Sequence, residues 1–416
     1  MTKKIVLSAI AASVMASSVM ATNGDHLIGI GAKARSMGGV GIATSFGAES
    51  GIANPALITS VKDSEVSFGG TVFMPDVSAS MGGNPYDDSA ADMSVIPSVS
   101  LATKVNDNLY IGLGMWGTAG MGVDYGEAPT SLTDAGNMNM ATSLQLMQFG
   151  LPMAFKEGGI SLGVMPFVQY GALDINFNDL QGNTVGSGVS QDLSTGYNIG
   201  ISYTEDILTV GYLYKSSVEM EYLGQLSTAT QSFVNAGIFS AAMSDVLEQP
   251  AERGVGISLK FDSVRFAIDA KEILWEEAIG YKDFGWENQE VIAVGFEKLF
   301  DTWSFRIGYN HAENPISESQ SGPASIPAGS WDQAGGNAMN LFNLLGFPAT
   351  VEEHYSFGLS VQASDEFSLD LAYVYTPEST VSMQTITGTD GTNLFTGTST
   401  VKHTQSSVSI QANLAF

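Results

Sequence analysis

Apolar and polar residues alternate along many short stretches of this chain. The stretch at the carboxyl end carries its apolar residues at every second position, namely Val408, Ile410, Ala412, Leu414 and Phe416. Residues 303–310 and 354–361 follow the same rule. Because successive side chains of a β-strand point to opposite faces, each stretch is predicted to be a strand with one apolar and one polar face.

About fourteen such strands are predicted along the chain. They lie near residues 65–76, 94–105, 109–121, 142–156, 159–177, 193–204, 207–223, 250–261, 264–278, 287–299, 302–313, 350–363, 367–380 and 400–416. Tight polar turns at 106–108, 156–159, 205–206, 262–263, 300–301 and 364–366 alternate with long joins at 77–93, 122–141, 178–192, 224–249, 279–286, 314–349 and 381–399. Short turns at one end and long loops at the other are typical of barrels in a bacterial outer membrane.

The composition agrees with a membrane barrel. Only 14% of the residues are charged, against roughly a quarter in an average soluble protein. An open sheet would leave backbone groups unpaired in hydrocarbon, so the sheet must close. The sequence therefore predicts an all-β fold, a transmembrane antiparallel β-barrel of about 14 strands. A lipid-facing Arg or Lys costs about 2–4 kcal/mol at mid-depth, so the charged strand residues are predicted to face the lumen. These residues are Lys260, Arg265, Asp269, Arg306 and Asp370.

The first 60 residues do not follow the strand pattern. Residues 1–21 have the features of a secretory signal peptide, with Lys3 and Lys4 before an apolar core and small residues before a predicted cleavage after Ala21. Residues 22–60 are rich in glycine and alanine and show no clean helical or strand period. We predict that this stretch, called the hatch segment below, lies inside the lumen. Residues 61–416 are predicted to form the barrel and its long extracellular loops.

Charge and motifs argue against several functions. Removal of Lys3 and Lys4 with the signal peptide leaves 14 basic and 43 acidic residues, a net charge of −29, which argues against a nucleic-acid partner. The GxGxxG match at 112–117 and the GxSxG match at 159–163 lie in predicted strands, without the helix that each motif needs. The four histidines show no metal-ligand spacing, and the chain has no cysteine. We therefore predict no catalytic residue, no metal, no cofactor and no enzymatic activity.

Two regions resemble the FadL-type family of outer-membrane transporters. MGGVGIA at 37–43 is followed by NPALIT at 54–59, and residues 95–125 are similar to the family's turn and glycine-containing third strand. The resemblance implies a fourteen-stranded barrel with an N-terminal hatch, and a kinked third strand that opens a side window with Gly120 at the kink. Glycine suits such a break because it accepts unusual dihedral angles. The hatch-motif residues that the resemblance implies are Gly38, Gly39, Asn54, Pro55 and Ala56.

The resemblance implies passive transport of long-chain fatty acids or other hydrophobic compounds. Fatty acid, alkane and aromatic cargo all remain open. Substrate would be captured by extracellular loops, bind against the hatch segment and leave laterally at the third strand. The residues predicted to contact it are Phe233, Phe239 and Phe342 in the loops and Leu27, Ile28, Ile30 and Met37 in the hatch segment. The loop at 178–192 is shorter than the family implies, so 226–247 and 339–347 would supply the capture site.

Two other classes of protein remain as alternatives. One is a general porin for polar solutes, which would have an open, charged lumen. The other, more distant, is an outer-membrane lipase or protease. The predicted location is the bacterial outer membrane, where outer-membrane lipid and lipopolysaccharide would surround a chain that we expect to be a monomer.

Overall fold

The computed structural model describes residues 22–126 and 138–416. The predicted signal peptide, residues 1–21, lies outside the described residues, as does the middle of the predicted join at 122–141. Within the described ranges, no helix combines the length and the apolar character needed to cross a membrane.

The described residues form fourteen long strands that close into one barrel. In chain order they are β1 Ser64–Ser80, β2 Ser94–Lys104, β3 Leu109–Asp124, β4 in two parts, Ala141–Gly150 and Met153–Glu157, β5 Ile160–Asn178, β6 Ser190–Glu205, β7 Leu208–Lys215, β8 Glu252–Phe261, β9 Val264–Ile273, β10 Gln289–Leu299, β11 Trp303–Ala312, β12 Glu353–Gln362, β13 Phe367–Thr389 and β14 Asn393–Ala415. Each strand pairs antiparallel with the next, and β14 pairs with β1 from Glu65↔Ala415 to Ser80↔Thr400. The prediction of a closed all-β barrel is therefore confirmed.

The alternation places apolar side chains outside and polar side chains inside. In β12, Phe357 and Leu359 are 49% and 46% exposed, whereas His354 and Ser356 are each 1% exposed. Outward apolar residues recur on every side of the barrel, as they must in hydrocarbon. Polar side chains therefore line the lumen.

Charged strand residues form a buried network inside the lumen. Arg306 Nε lies 2.8 Å from one oxygen of Glu297, and Arg265 lies 3.1 Å from the other. Lys260 pairs with Arg265 in the ladder and is exposed near the end of β8. Of the charged residues predicted to face the lumen, those that are fully buried are Asp269, Arg306 and Asp370.

The prediction of a long join at 381–399 is wrong. β13 and β14 continue through it as a paired hairpin, with Val381 opposite Val401 and Gln384 opposite Thr398. The segment is rich in threonine and serine, and threonine favours strands even where a polar composition suggests a loop. Two predicted strands are also shorter. The strand predicted at 207–223 ends at Lys215, and the strand predicted at 264–278 ends at Ile273.

Helices occur only outside the strand ladder of the described residues. The hatch segment contains α1 Ala32–Arg35 and α2 Ser50–Ala53, with 3-10 turns at Gly47–Glu49 and Pro55–Ser60. The long loops contain α3 Leu226–Asn235 and α4 Gly335–Leu341, and α4 continues as a π-helix over Phe342–Gly346. A short hairpin of Val218–Glu221 with Val246–Gln249 precedes β8.

Candidate functional site

The hatch segment lies inside the barrel and hydrogen-bonds to the strands around it. Through one carboxylate oxygen, Asp269 of β9 accepts bonds from the backbone N–H groups of Gly41 and Ile42, at 2.7 and 2.8 Å. The Gly38 N–H donates to Ser356 Oγ of β12 at 2.9 Å. These bonds hold the middle of the hatch segment against the barrel.

At positions 38 and 39, both the backbone conformation and the space available for a side chain require glycine. Their φ angles are +72° and +86°, in the left-handed region that favours glycine. A Cβ on Gly39 would lie 1.9 Å from the carbonyl oxygen of Ile28, and one on Gly38 would lie 2.4 Å from that of Tyr309. The glycine pair therefore lets the hatch segment fold back on itself while it touches β11.

Asn54 fixes the turn before the last part of the hatch segment. Its Oδ1 accepts from the Ala56 N–H at 3.0 Å, and its Nδ2 donates to the Ile42 carbonyl at 2.7 Å. Pro55 is the first residue of the 3-10 turn that follows. A Cβ on Gly200 of β6 would lie 1.8 Å from Asn54 Oδ1. The structure thus brings the Asn-Pro-Ala turn into close contact with the barrel.

The barrel ladder is interrupted between β2 and β3. The last paired residues are Ser98 and Trp116, and no further β2–β3 pair is formed by the described residues toward the long-loop end. Val105 N–H donates toward β3, so odd-numbered residues of β2 direct their backbone donors to that side. Pro97 has no N–H and cannot continue the ladder. We call residues 95–97 of β2 and 117–123 of β3 the β2–β3 seam.

The hatch segment forms hydrogen bonds with the edge of β3 that is not paired with β2. The Leu27 N–H donates to the Thr118 carbonyl at 3.3 Å, and the Gly120 N–H donates to the Asp25 carbonyl at 2.9 Å. The start of the hatch segment therefore acts as a short extra strand on the lumen side of the seam.

β3 is irregular at the same point. Its register with β4 shifts between Gly117 and Ala119, so Thr118 is an extra residue in the ladder. A bulge of this kind bends a strand and increases its twist. The bulge at Thr118 lies two residues before Gly120. Gly120 itself contributes its N–H to the bond with the Asp25 carbonyl.

A cavity lies between the hatch segment and the barrel. Its apolar lining includes Leu27, Ile28 and Ile30 of the hatch segment and Phe167, Leu213 and Val291 of the barrel. Thr118 also lines the cavity. Because Thr118 is the bulged residue of β3, the cavity reaches the seam directly.

A polar cluster holds the first residues of the hatch segment. Asp25 accepts hydrogen bonds from Gln249 Nε2 at 3.0 Å and from the hydroxyl of Tyr281. His26 Nε2 lies 2.9 Å from Gln249 Oε1, and its Nδ1 lies 3.1 Å from Glu252 Oε1. Burial raises the pKa of the Tyr281 phenol well above its usual value, so Tyr281 remains a donor to Asp25. These contacts join the hatch segment to β8 and to the two loops that flank β8 and β9.

Not all of the hatch residues predicted to contact substrate line the cavity. Leu27, Ile28 and Ile30 line the cavity, as stated above. Met37 does not line it. Met37 is fully buried and packs with Val40 and Phe46 in a separate cluster between the hatch segment and β9 and β10.

The predicted loop residues form a closed aromatic cluster. Phe233 and Phe342 are 2% and 1% exposed, with ring centroids 5.4 Å apart, and Phe239 packs 5.5 Å from Phe233. The two long loops bury these rings against each other, so Phe233 and Phe342 do not form an exposed landing surface. A smaller cavity of about 290 Å³ beside the cluster is lined by Phe284 and Trp286, among others.

Several residues of the site have no counterpart in the sequence prediction. Pro97 offered a signal, because proline inside an alternating strand marks a ladder edge. Gln249, Glu252 and Tyr281 offered none, since their partners Asp25 and His26 lie more than 200 positions away. Within the described ranges, no group of three or more His, Asp or Glu side chains is arranged to hold a metal ion.

A closed barrel with an apolar outer face and a filled, polar lumen defines an integral membrane protein of the channel-forming class. The sequence matches, over residues 7–333, the model of the family described as outer membrane protein transport protein (OMPP1/FadL/TodX). The chain belongs to this family. No curated protein matches it in sequence.

Solved structures of similar fold cover almost the whole chain at low sequence identity. A FadL homologue of Pseudomonas aeruginosa has a TM-score of 0.70 and 16% identity, and the alignment covers 94% of this chain and 100% of that one. The toluene transporter TodX of P. putida gives 0.65 and 16%, with coverage of 94% and 99%. The toluene transporter TbuX of Ralstonia pickettii gives 0.64 and 15%, also with 94% and 99%. At this identity the likeness shows the fold.

Family membership establishes the broad function. The chain is an outer-membrane channel of a family that transports hydrophobic compounds, and it is not an enzyme. The GxSxG match agrees with this conclusion, because Ser161 lies within β5 and its hydroxyl is 2.9 Å from that of Thr59 in the hatch segment. The family also favours hydrophobic cargo over the polar solutes of a general porin.

Proposed function

We propose that this chain carries hydrophobic compounds, long-chain fatty acids among them, passively across the outer membrane and releases them laterally through the β2–β3 seam. The observation that carries the proposal is the position of Thr118. This residue lines the cavity, accepts a hydrogen bond from the hatch segment and forms the bulge of the seam. Two proteins of similar fold, TodX and TbuX, are toluene transporters, which supports hydrophobic cargo.

Lateral release follows from the free energy of an apolar chain in water. Each buried methylene contributes about 0.8 kcal/mol, so a chain of roughly 16 carbons loses on the order of 10 kcal/mol if it passes into water. A path from the cavity to the lipid avoids this cost. No nucleotide or other energy source is then needed.

The hatch segment must move for the path to open. The backbone bonds that hold the hatch segment to β3 at the seam are the Leu27–Thr118 and Gly120–Asp25 pairs. A typical hydrogen bond contributes about 0.5–1.5 kcal/mol net, so these two cost only about 1–3 kcal/mol to break. A bound substrate that competes with Leu27 for apolar contact would weaken the attachment of the segment to β3. We propose that the polar cluster at Asp25 sets how far the segment moves.

The remaining parts of the proposal concern the whole chain. Residues 1–21 would be removed on export, residues 22–60 would act as the hatch, and residues 61–416 would form the barrel. The partners would be the hydrophobic cargo and the surrounding outer-membrane lipid and lipopolysaccharide, and the working form would be a monomer.

The test is a bulky side chain at the seam. Gly120→Trp should reduce uptake of radiolabelled oleic acid and of toluene by cells to the level of cells without the protein. Leu113→Trp is the matched control, because Leu113 lies on the same strand and is 59% exposed on the outer face. The control should transport normally. Folding of both variants is checked by circular dichroism and by heat-modifiable migration on gels.

The outcome that overturns the proposal is normal uptake by a folded Gly120→Trp protein. The cargo would then leave by another route, and the seam would be only an irregularity of the ladder.

A further inference from the structure

The cavity is crossed by polar side chains from six consecutive strands. Gln148 of β4, Gln169 of β5, Asn198 of β6, Lys215 of β7, Glu252 of β8 and Lys271 of β9 all line it. The ladder places Asn198 opposite Lys215, and Lys215 opposite Glu252. We call these six residues the polar belt. Polar side chains in the wall of a cavity that binds only hydrocarbon would be unfavourable, because buried polar groups cost free energy unless they are paired.

Both lysines of the polar belt pair with the same carboxylate, that of Glu252. Glu252 lies 3.2 Å from Lys215 Nζ through one oxygen and 3.1 Å from Lys271 Nζ through the other. His26 also faces Glu252, at 3.1 Å. Among the described residues that line the cavity, Lys215, Lys271 and His26 are the groups able to carry positive charge. The two lysine charges are matched by the carboxylates of Glu252 and Asp269, which both line the cavity, so a carboxylate ligand would have to displace one of these carboxylates or remain without a counter-charge.

The amides of the polar belt are not fully paired. Asn198 is completely buried, and neither its Oδ1 nor its Nδ2 has a hydrogen-bond partner among the described residues. Gln148 Nε2 donates to Gln169 Oε1 at 3.0 Å, and within the part of the chain that the structure describes Gln148 Oε1 and Gln169 Nε2 have no further partner. If both amides are flipped, one donor and one acceptor still remain. The belt therefore offers neutral donors and acceptors side by side.

We propose that this cavity selects uncharged hydrophobic compounds that carry a hydroxyl or carbonyl group, in preference to carboxylates and to plain hydrocarbons. The oxygen of such a compound would pair with Asn198 and the Gln148–Gln169 amides. Its hydrocarbon body would lie against Ile28 and Leu213. A hydroxyl both donates and accepts, as the unpaired amide atoms require. The inference rests on the proposed function and ranks its cargo, since uncharged oxygen-bearing compounds would bind more tightly than the fatty acid carboxylates that the proposal also includes.

The test compares three probes of equal chain length, 1-decanol, decanoate and n-decane. Binding of each labelled probe to the purified full chain is measured at neutral pH by equilibrium dialysis, with a detergent-only control for partitioning. Decanol should bind about tenfold more tightly than decanoate or decane, as expected for one well-placed hydrogen-bonding group. Asn198→Leu should remove most of this preference without weakening decane. Asn183→Leu, in an exposed loop, is the matched control and should bind like the unmodified chain.

The outcomes separate this inference from the proposed function. Equal or tighter binding of decanoate, or an unchanged decanol preference in a folded Asn198→Leu protein, overturns the selectivity alone, because hydrophobic binding itself persists. Failure of all three probes to bind overturns both. If Asn198→Leu does not fold, Gln169→Leu replaces it, with the same expected loss of preference.

Discussion

Asp269 is the residue on which we expect the position of the hatch segment to depend most directly. Its carboxylate is 4% exposed and accepts from two consecutive backbone N–H groups, those of Gly41 and Ile42. Asp269→Ala would remove both bonds and leave two donors without a partner. Hydrogen bonds to a charged group contribute about 1.5–3 kcal/mol each, so the pair is worth at least about 3 kcal/mol. Since about 1.4 kcal/mol corresponds to a factor of ten, local opening should become about 100-fold more frequent.

Hydrogen exchange measures this opening directly. In Asp269→Ala, the amides of Gly41 and Ile42 should exchange about 100-fold faster than in the unmodified chain, while amides of β13 and β14 keep their protection. Asp269→Asn keeps one acceptor oxygen without charge and should give a smaller increase. Asp301→Ala, in the exposed turn before β11, is the control for loss of an acidic residue.

The reasoning is refuted if Gly41 and Ile42 exchange at unchanged rates in Asp269→Ala. The hatch segment would then be held by packing in the lumen and not by its hydrogen bonds. Loss of protection throughout the barrel would also contradict it, because Asp269 faces the lumen and takes no part in the strand ladder through its side chain.

Two further substitutions test the glycine pair and the seam. Gly39→Ala should prevent the hatch segment from docking, because its Cβ would lie 1.9 Å from the Ile28 carbonyl and φ is +86°; limited proteolysis should then cleave within residues 22–60, and a protected segment would contradict the steric argument. Pro97→Val should supply the missing backbone donor opposite Gly117, extend the β2–β3 ladder and slow uptake of labelled oleic acid several-fold; uptake at the original rate in a folded variant would show that the proline does not limit the seam.

Much of the barrel was predictable because its determinants are local. The alternation of side chains in β12 follows from the period of a strand, and the hydrocarbon outside makes that alternation strict. The hairpin at 381–399 escaped prediction because its threonines and serines resemble a polar loop until the opposite strand is seen. Met37 was assigned to the pocket on apolar character alone, which does not distinguish packing against Val40 from contact with a ligand.

Most contacts of the site could not be predicted from the sequence, because they join residues that are far apart in the chain. Pro97 and the glycines at 38 and 39 carry local constraints of the backbone, so the sequence alone determined that a ladder edge and a tight reversal must occur there. The pairing of the hatch segment with β3, the cluster of Asp25 with Tyr281 and the unpaired amide of Asn198 were decided only by the tertiary structure. They join residues far apart in the chain, and their energies depend on burial and distance, which exist only once the barrel has closed around its own first residues.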